Sequence, residues 1–504
     1  MINKISIREG KMKVLRRGIF VVACIFFLVA VCSPFTAVAA KADKKSKTAK
    51  VDAIDQWAAK PNAAFDADKM SDMSDYDPGN PVIPTGDTIK LAVVVSFSGP
   101  ASIQGQAYFA LVQWAAHDIN KRGGIWVDGK KKLIQVIKAD HMSKPDQCKK
   151  IAERMALQEK VHVFLGTDGS HLMKVINEVA NKYKIISLNI GAVSDDVQSA
   201  ASFTRYAFHS YYSSEQIARA LAYYYGQIRK KEKKFYIIDQ DYGFGHIIAE
   251  EFKKGLKEYY PEAEIVGEDY HKLFLTDFAP YLSKVKASGA EVIFSADFLP
   301  DAANLPKQAR QMGINLPFAN LFMNDPTMLR EIGVEGGKGL VHIDSFDMPD
   351  PFKVAPGYAK YYQAWTKSWD KWAAPNNTQF MRYVGSAGNG ASLVMETYWL
   401  LSVIERAKST DPEKIIKIFE NDTYRYVNGK VLKMRACDHK AIQDLGVSEY
   451  VAPEQQKISM TIPPYYWFKD ASFTGPTYRV PAAKILPFMD QNIDRCKGKN
   501  GWGE

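Results

Sequence analysis

The sequence predicts an α/β fold in two lobes, each built on a parallel sheet. Three observations carry this. Residues 90–140 read as a strand–helix–strand unit. The apolar run 91–95 opens into Ser96-Phe97-Ser98-Gly99-Pro100, a helical stretch ends at Asn120 and Gly123-Gly124, and a second run, 133–137, closes on Asp140. Parallel strands require a crossover of this length, and the crevice at their carboxyl ends accepts ligands. Beyond it, short apolar runs at 161–165, 185–189, 235–238, 264–266, 292–295 and 340–343 alternate with stretches such as Leu172, Val175, Ile176, Val179 and Tyr183, or Ile217, Leu221 and Tyr224, at helical spacing. Finally, about 420 residues of such alternation exceed what one core covers, so two lobes are expected.

The amino-terminal 39 residues read as an export signal. Lys13, Arg16 and Arg17 precede an apolar core at 19–31, and Ala37-Val38-Ala39 offers small residues for cleavage, so the mature chain starts near Ala40 in the periplasm or another extracytoplasmic compartment. The core is short for a membrane span, and no later segment approaches ~20 unbroken apolar residues. Val31 stands where a lipidated Cys32 would need a small residue before it. Residues 40–85, rich in Lys, Asp, Ala and Pro without a sustained period, read as an extended leader over the surface.

The net charge of +10 includes six basic residues and one acidic residue of the signal, leaving +5 on the exported part. Its Lys clusters, 130–132 and 230–234, fall in polar connections before strands rather than on one face, which argues against nucleic acid as a partner. Three cysteines remain after the signal. An oxidising compartment permits one disulfide, assigned to Cys437 and Cys496 because both lie in the irregular carboxyl-terminal part while Cys148 falls on a helix face; three free buried thiols are the alternative.

Two loops carry candidate chemistry. In Gly166-Thr167-Asp168-Gly169-Ser170, a strand end precedes a helix whose amino terminus exposes N–H groups and positive dipole; it holds a carboxylate, or Asp168 or Ser170 simply caps the helix. Asp239-Gln240-Asp241-Tyr242-Gly243-Phe244-Gly245 imitates a dinucleotide fingerprint, but Ile248 occupies the third glycine position, so no nucleotide cofactor is expected. His141, His162, His171 and His246 are scattered and read as surface or capping residues. Neither metal-ligand spacing nor a nucleophile elbow appears, so nothing in the spacing supports catalysis, and neither an enzyme nor a metal nor a cofactor is expected.

The order strand, Ser98-Gly99-Pro100, long helix, Ile119-Asn120-x-x-Gly123-Gly124-Ile125, strand, Asp140 resembles the opening unit of the branched-chain amino-acid (Leu/Ile/Val) binding proteins that serve ABC transporters. The resemblance runs over roughly residues 88 to 470 and implies the type I periplasmic binding protein fold, two Rossmann-like lobes joined by a three-stranded hinge. It places crossings near Phe208, Ile343 and Lys433. The first lobe then takes 86–207 and 344–432, the second 208–343 and 433–475, and 476–504 forms an irregular tail. It also implies a ligand site. Ser98, Gly99, Gly169 and Ser170 line the first lobe with Asn189, Gly191 and Ala192, and Tyr242 and Phe298 face them from the second. The family's carboxylate for a ligand ammonium is missing after the following strand, where Leu321 and Phe322 stand; Asp297 first, or Asp325, substitutes for it, or the ligand lacks an amine. The expected function is capture of a small carboxylate ligand by hinge closure, as a monomer, for a membrane permease. A ligand-sensing subunit and an extracytoplasmic hydrolase are the alternatives.

Overall fold

The computed structural model describes residues 57–77, 79–99, 102–167, 169–298, 300–320, 326–369, 388–451 and 473–504. The expected export signal lies outside them. The first lobe is a five-stranded parallel sheet of β1 (Ile89–Val95), β2 (Ile134–Asp140), β3 (Val163–Gly166), β4 (Ile186–Asn189) and β5 (Ala207–His209), in the order β2-β1-β3-β4-β5. Only Lys90 of β1 is not fully buried, because helices cover both faces. Strand alternation divides its side chains. Leu91, Val93 and Val95 join the core beneath α1 (Ser102–Lys121). Ala92 and Val94 meet Cys148 and Ala152 of α2 (Pro145–Arg154) and Leu172, Met173 and Ile176 of α3 (Ser170–Tyr183).

The second lobe repeats the plan. After α4 (Ser214–Tyr223) come β6 (Lys234–Gln240), α5 (Gly243–Tyr259), β7 (Glu264–His271), α6 (Ala279–Ser288), β8 (Val292–Ser295), α7 (Asp301–Gln311), β9 (Phe318–Asn320) and β10 (Leu340–Asp344). The sheet runs β7-β6-β8-β9-β10 in parallel. Phe235 and Ile237 pack on Ile217, Leu221, Ile248 and Phe252. Tyr236 and Ile238 pack on Leu282, Val285 and Leu305. The chain then returns to the first lobe through α8 (Gly357–Ser368), α9 (Gly388–Ala407) and α10 (Pro412–Phe419), whose Trp365, Trp399 and Phe419 enter the first core. It forms β11 (Thr423–Arg425), β12 (Val431–Met434) and β13 (Ala441–Ile442), and adds β14 (Leu445–Val451) and β15 (Phe473–Val480) antiparallel to the second sheet.

Four expectations need correction. Lys433 does not cross between lobes, because it sits in β12, held by antiparallel pairing to Thr423 and Ile442; the crossing follows at Gln443-Asp444. The tail is not irregular from 476, since β15 runs to Val480 on the edge of the second sheet. β7 continues past 266 to His271, its half-exposed residues masking the strand. The described part of the leader is not confined to the surface. Ala63–Ala64 pairs in parallel with β11, and Met70, Met73 and Tyr76 are buried in the first core.

All three crossings meet one buried cation. Lys430 Nζ donates to Ser345 O on the second crossing and to Gln443 Oε1 (2.8 Å) on the third, and Gln443 Nε2 donates to Ser210 O (3.2 Å) on the first. Burial pushes Lys430 down to about 8 against the pull of Asp444, Asp344 and Glu396. The Ser210 hydroxyl donates to Glu396 Oε2 (2.8 Å) on α9, and burial raises that carboxyl to about 8.

The tail is stapled to the segment before the third crossing. Cys437 and Cys496 form a disulfide, with Cα atoms 5.1 Å apart, and Cys148 is a buried thiol. Beside it, Arg435 pairs with Asp438 and donates to the carbonyls of Pro487 and Phe488.

Closing a loop of 59 residues is worth about 4 kcal/mol in the chain-entropy account. Cys496→Ser should therefore lower the unfolding free energy by about 2–4 kcal/mol in denaturant titrations, and an unchanged midpoint would refute the staple. Glu396 binds its proton more tightly folded than at its unfolded value of 4.5, so its contribution is complete below pH 4.5 and lost as pH rises through about 8. The melting temperature should fall more between pH 5 and 8 in the wild type than in Glu396→Gln; parallel slopes would exclude this residue.

Candidate functional site

Sheet order alone selects two loop clusters. In an order of 2-1-3-4-5, neighbouring connections leave in opposite directions between the first and third strands, and the crevice opens there. In the first lobe this point lies between β1 and β3, hence between Ser98-Gly99 and Gly169-Ser170. In the second lobe it lies between β6 and β8, hence between Tyr242 and Asp297-Phe298.

On the first loop, Asp140 accepts the amides of Phe97 (2.9 Å) and Met142 (2.8 Å) and the Ser98 hydroxyl (2.7 Å). Burial raises the Asp140 carboxyl, but these hydrogen bonds outweigh it and hold the pKa below the usual range. Ser98 thus spends its hydroxyl hydrogen on fastening its own loop. Gly99 supplies a left-handed turn at φ +86°. Across the switch point, α3 begins with Gly169 as its cap, a residue with no side chain to offer the first amides. The Ser170 hydroxyl accepts the Ser194 amide (3.2 Å), tying the helix start to the loop after β4.

That loop is shaped by Asn189. Its Oδ1 accepts the amides of Gly191 (3.2 Å) and Ala192 (2.9 Å), and its Nδ2 donates to Ala192 O (2.8 Å), so the side chain builds the turn. Ala192 is buried in the core formed with α3. A Cβ on Gly191 would lie 2.5 Å from Tyr108 Oη and 2.9 Å from Thr167 O. Tyr108 therefore belongs to this cluster and escaped the sequence reading; its place on the helix after Ser98-Gly99-Pro100 is the signal that points to it. His141, read as a surface residue, is buried with Nε2 2.6 Å from Thr167 Oγ1.

On the second lobe, Tyr242 precedes α5 and meets Phe298 edge-on, with ring centroids 6.1 Å apart. Burial, with Asp239 and Asp297 nearby, raises its phenol well above the usual range. Asp297 is fully buried, and its Oδ2 accepts His271 Nε2–H (2.9 Å) while His271 Nδ1–H donates to Lys272 O (2.9 Å). Both ring nitrogens face acceptors. Burial opposes the imidazolium, yet the Asp297 hydrogen bond and charge raise the His271 pKa. His271, too, went unread, because β7 was taken to end before it. Burial raises Asp239 far above a free carboxyl and raises Asp297 against the pull of His271. Asp239 Oδ2, Asp297 Oδ1 and Asp301 Oδ1 find no hydrogen-bond partner among the described residues. Phe322 lies outside those residues.

The structure brings Ser98-Gly99, Gly169-Ser170 and Asn189-Gly191-Ala192 to one rim of the first sheet, and Tyr242, Asp297 and Phe298 to one rim of the second. A cavity of about 660 Å³, lined by Tyr76, Phe97, Phe109, Lys138, Asp140 and Arg154 among others, adjoins the first loop through Phe97 and Asp140, and its lining includes none of Ser98, Gly99, Gly169, Ser170, Asn189, Gly191 and Ala192.

The chain matches the family model of periplasmic binding proteins over residues 88–455. It belongs to that family. Its fold is the type I form of the branched-chain amino-acid binding proteins, and membership implies an extracytoplasmic location. It is 24% identical over 405 residues to Leu/Ile/Val-binding protein homolog 4 of Brucella melitensis, covering 78% of this chain and 90% of the relative. It is 29% identical over 254 residues to an amino acid binding protein of Pseudomonas aeruginosa, covering 49% and 63%. The closed-conformation structure of the leucine-, isoleucine-, valine-, threonine- and alanine-binding protein of Brucella ovis superposes with a TM-score of 0.64 at 19% identity, covering 81% of this chain and 98% of that one. A solute binding protein of an ABC transporter from Rhodopseudomonas palustris, in complex with p-hydroxybenzoic acid, gives 0.61 at 18% identity, covering 79% and 98%.

Gly191→Ala should force Tyr108 from its place, since no real Cβ tolerates an approach of 2.5 Å. A loss of about 1–3 kcal/mol in chemical denaturation is expected, against unchanged stability if the ring yields freely.

Proposed function

We propose that this periplasmic binding protein is the solute receptor of an ABC importer, holding a small carboxylate-bearing molecule between the two rims and closing by hinge motion. The observation that carries this is the coincidence of the candidate residues with both switch points, since α/β sheets place their ligands there. On the first rim, the glycine-capped start of α3 offers backbone N–H groups and positive dipole to a carboxylate, with Ser170 beside them. On the second, Tyr242 and Phe298 supply aromatic surface, and Asp297 Oδ1 and its carboxyl neighbours accept from an amine or hydroxyl.

Relatives of both ligand kinds fit this frame. The Brucella ovis protein is named for aliphatic amino acids, and the Rhodopseudomonas palustris protein was crystallised with p-hydroxybenzoic acid. Both ligands pair a carboxylate with a hydrogen-bond donor, one an ammonium and the other a phenol. Closure brings the rims together through the Lys430 junction, and the closed form is what a membrane permease recognises. The receptor acts as a monomer, and its ligand chemistry asks only for binding groups, without cofactor or bond cleavage.

A thermal-shift screen of the purified protein against branched-chain amino acids, their 2-oxo acids and hydroxybenzoates tests the reading. A true ligand at 100 times its dissociation constant adds about 2.7 kcal/mol, a shift of a few degrees. Ser170→Trp should abolish that shift while leaving the unliganded melting temperature near its wild-type value. Stabilisation that survives the substitution would place the ligand elsewhere, and no response to any of the three classes would overturn the proposed ligand chemistry.

A further inference from the structure

Where β10 runs out, His342, Asp344 and Asp347 converge. Strand alternation puts residues 342 and 344 on one face. The chain then folds back, because Asp344 Oδ1 accepts the amides of Phe346 (2.6 Å) and Asp347 (3.1 Å). That turn returns Asp347 toward the strand, with its Oδ2 4.0 Å from His342 Nε2. One donor atom from each of the three side chains lies within 4.8 Å of the others.

The buried members of this group are short of partners. Among the described residues, His342 is fully buried with no hydrogen bond at either ring nitrogen, and Asp344, also fully buried, has none at Oδ2. A buried polar atom left unpaired costs on the order of 1–3 kcal/mol, so three in one place call for an occupant. Burial lowers the His342 pKa to about 4, so the imidazole is neutral and presents a lone pair. Lys430 stands on the other side of the turn, but its ammonium is engaged by Ser345 O and Gln443, and it serves none of the three orphaned atoms.

We propose that His342, Asp344 and Asp347 bind a divalent transition-metal cation of the zinc class. One imidazole nitrogen and two carboxylates balance a double charge, and a nitrogen donor favours such an ion over calcium or magnesium, which take oxygen ligands. The ion sits on the second crossing, so it stiffens a segment through which the lobes are joined.

The test is calorimetric titration of the EDTA-stripped, dialysed protein with Zn²⁺, repeated with Co²⁺ while recording its visible absorption. Wild-type protein should take up one ion more per chain than either His342→Leu or Asp347→Asn, and the cobalt spectrum should lack a thiolate band. His342→Leu removes both orphaned nitrogens, and Asp347→Asn keeps side-chain size at a half-buried turn, so at least one should melt in EDTA near the wild-type temperature. In that folded variant, affinity at this site should drop by at least about tenfold, the least that even changes around a ligand shell produce. No zinc uptake by the wild type, or uptake of unchanged stoichiometry and affinity in the folded variant, overturns the site.

Discussion

Among the described residues the two lobes share no sheet, and three short lengths of chain pass between them. Their common fastening is a single ammonium. Lys430 reaches the second crossing directly and the third through Gln443, which itself holds the first. A buried lysine is costly unless its donors are met and counter-charges stand near. Here two carbonyl-type acceptors and the carboxyls of Asp444, Asp344 and Glu396 perform that task, yet the pKa still falls to about 8. The three crossings are therefore tied together by one polar cluster around Lys430 and Gln443.

The loops on both rims are likewise held by hydrogen bonds from within each lobe. Ser98, Asn189 and Ser170 each spend hydrogen-bonding capacity within their own lobe, fixing loop shape before any ligand arrives. Groups fixed in this way need little further ordering, which keeps the entropy cost of any contact they make low. The aromatic pair Tyr242–Phe298 and the buried Asp297–His271 pair give the second rim the same character.

Much of this was legible in the order of residues. The opening strand–helix–strand unit, the alternation of apolar runs and the Gly169-Ser170 helix start follow from periodicity and turn chemistry, which act locally. Residue roles were less legible. Asn189, read as a ligand contact, also builds its own turn, a use that the sequence does not separate from the first because asparagine suits both. β7 was shortened because an edge strand with half-exposed Glu268 and Asp269 carries no apolar run. The leader misled for a related reason: Met70, Met73 and Tyr76 are buried from an irregular segment, and burial without regular structure leaves no period to read. His342-x-Asp344-x-x-Asp347 matches no standard metal motif, since its third member arrives through a side-chain-made turn.

The leader's burial also bears on when the protein can finish folding. Asn62 hydrogen-bonds to Thr423 and Asp422 across some 360 residues, and Ala63–Ala64 pairs with Tyr424–Arg425. An amino-terminal segment with such partners stays unplaced until nearly the whole chain is available to it. Contacts of that separation are slow to form, because the intervening loop must close first. The first lobe thus completes its core last, from both ends of the sequence at once. Until that carboxyl-terminal quarter is present, Asn62 and Ala63–Ala64 lack the partners that hold the leader in the first core.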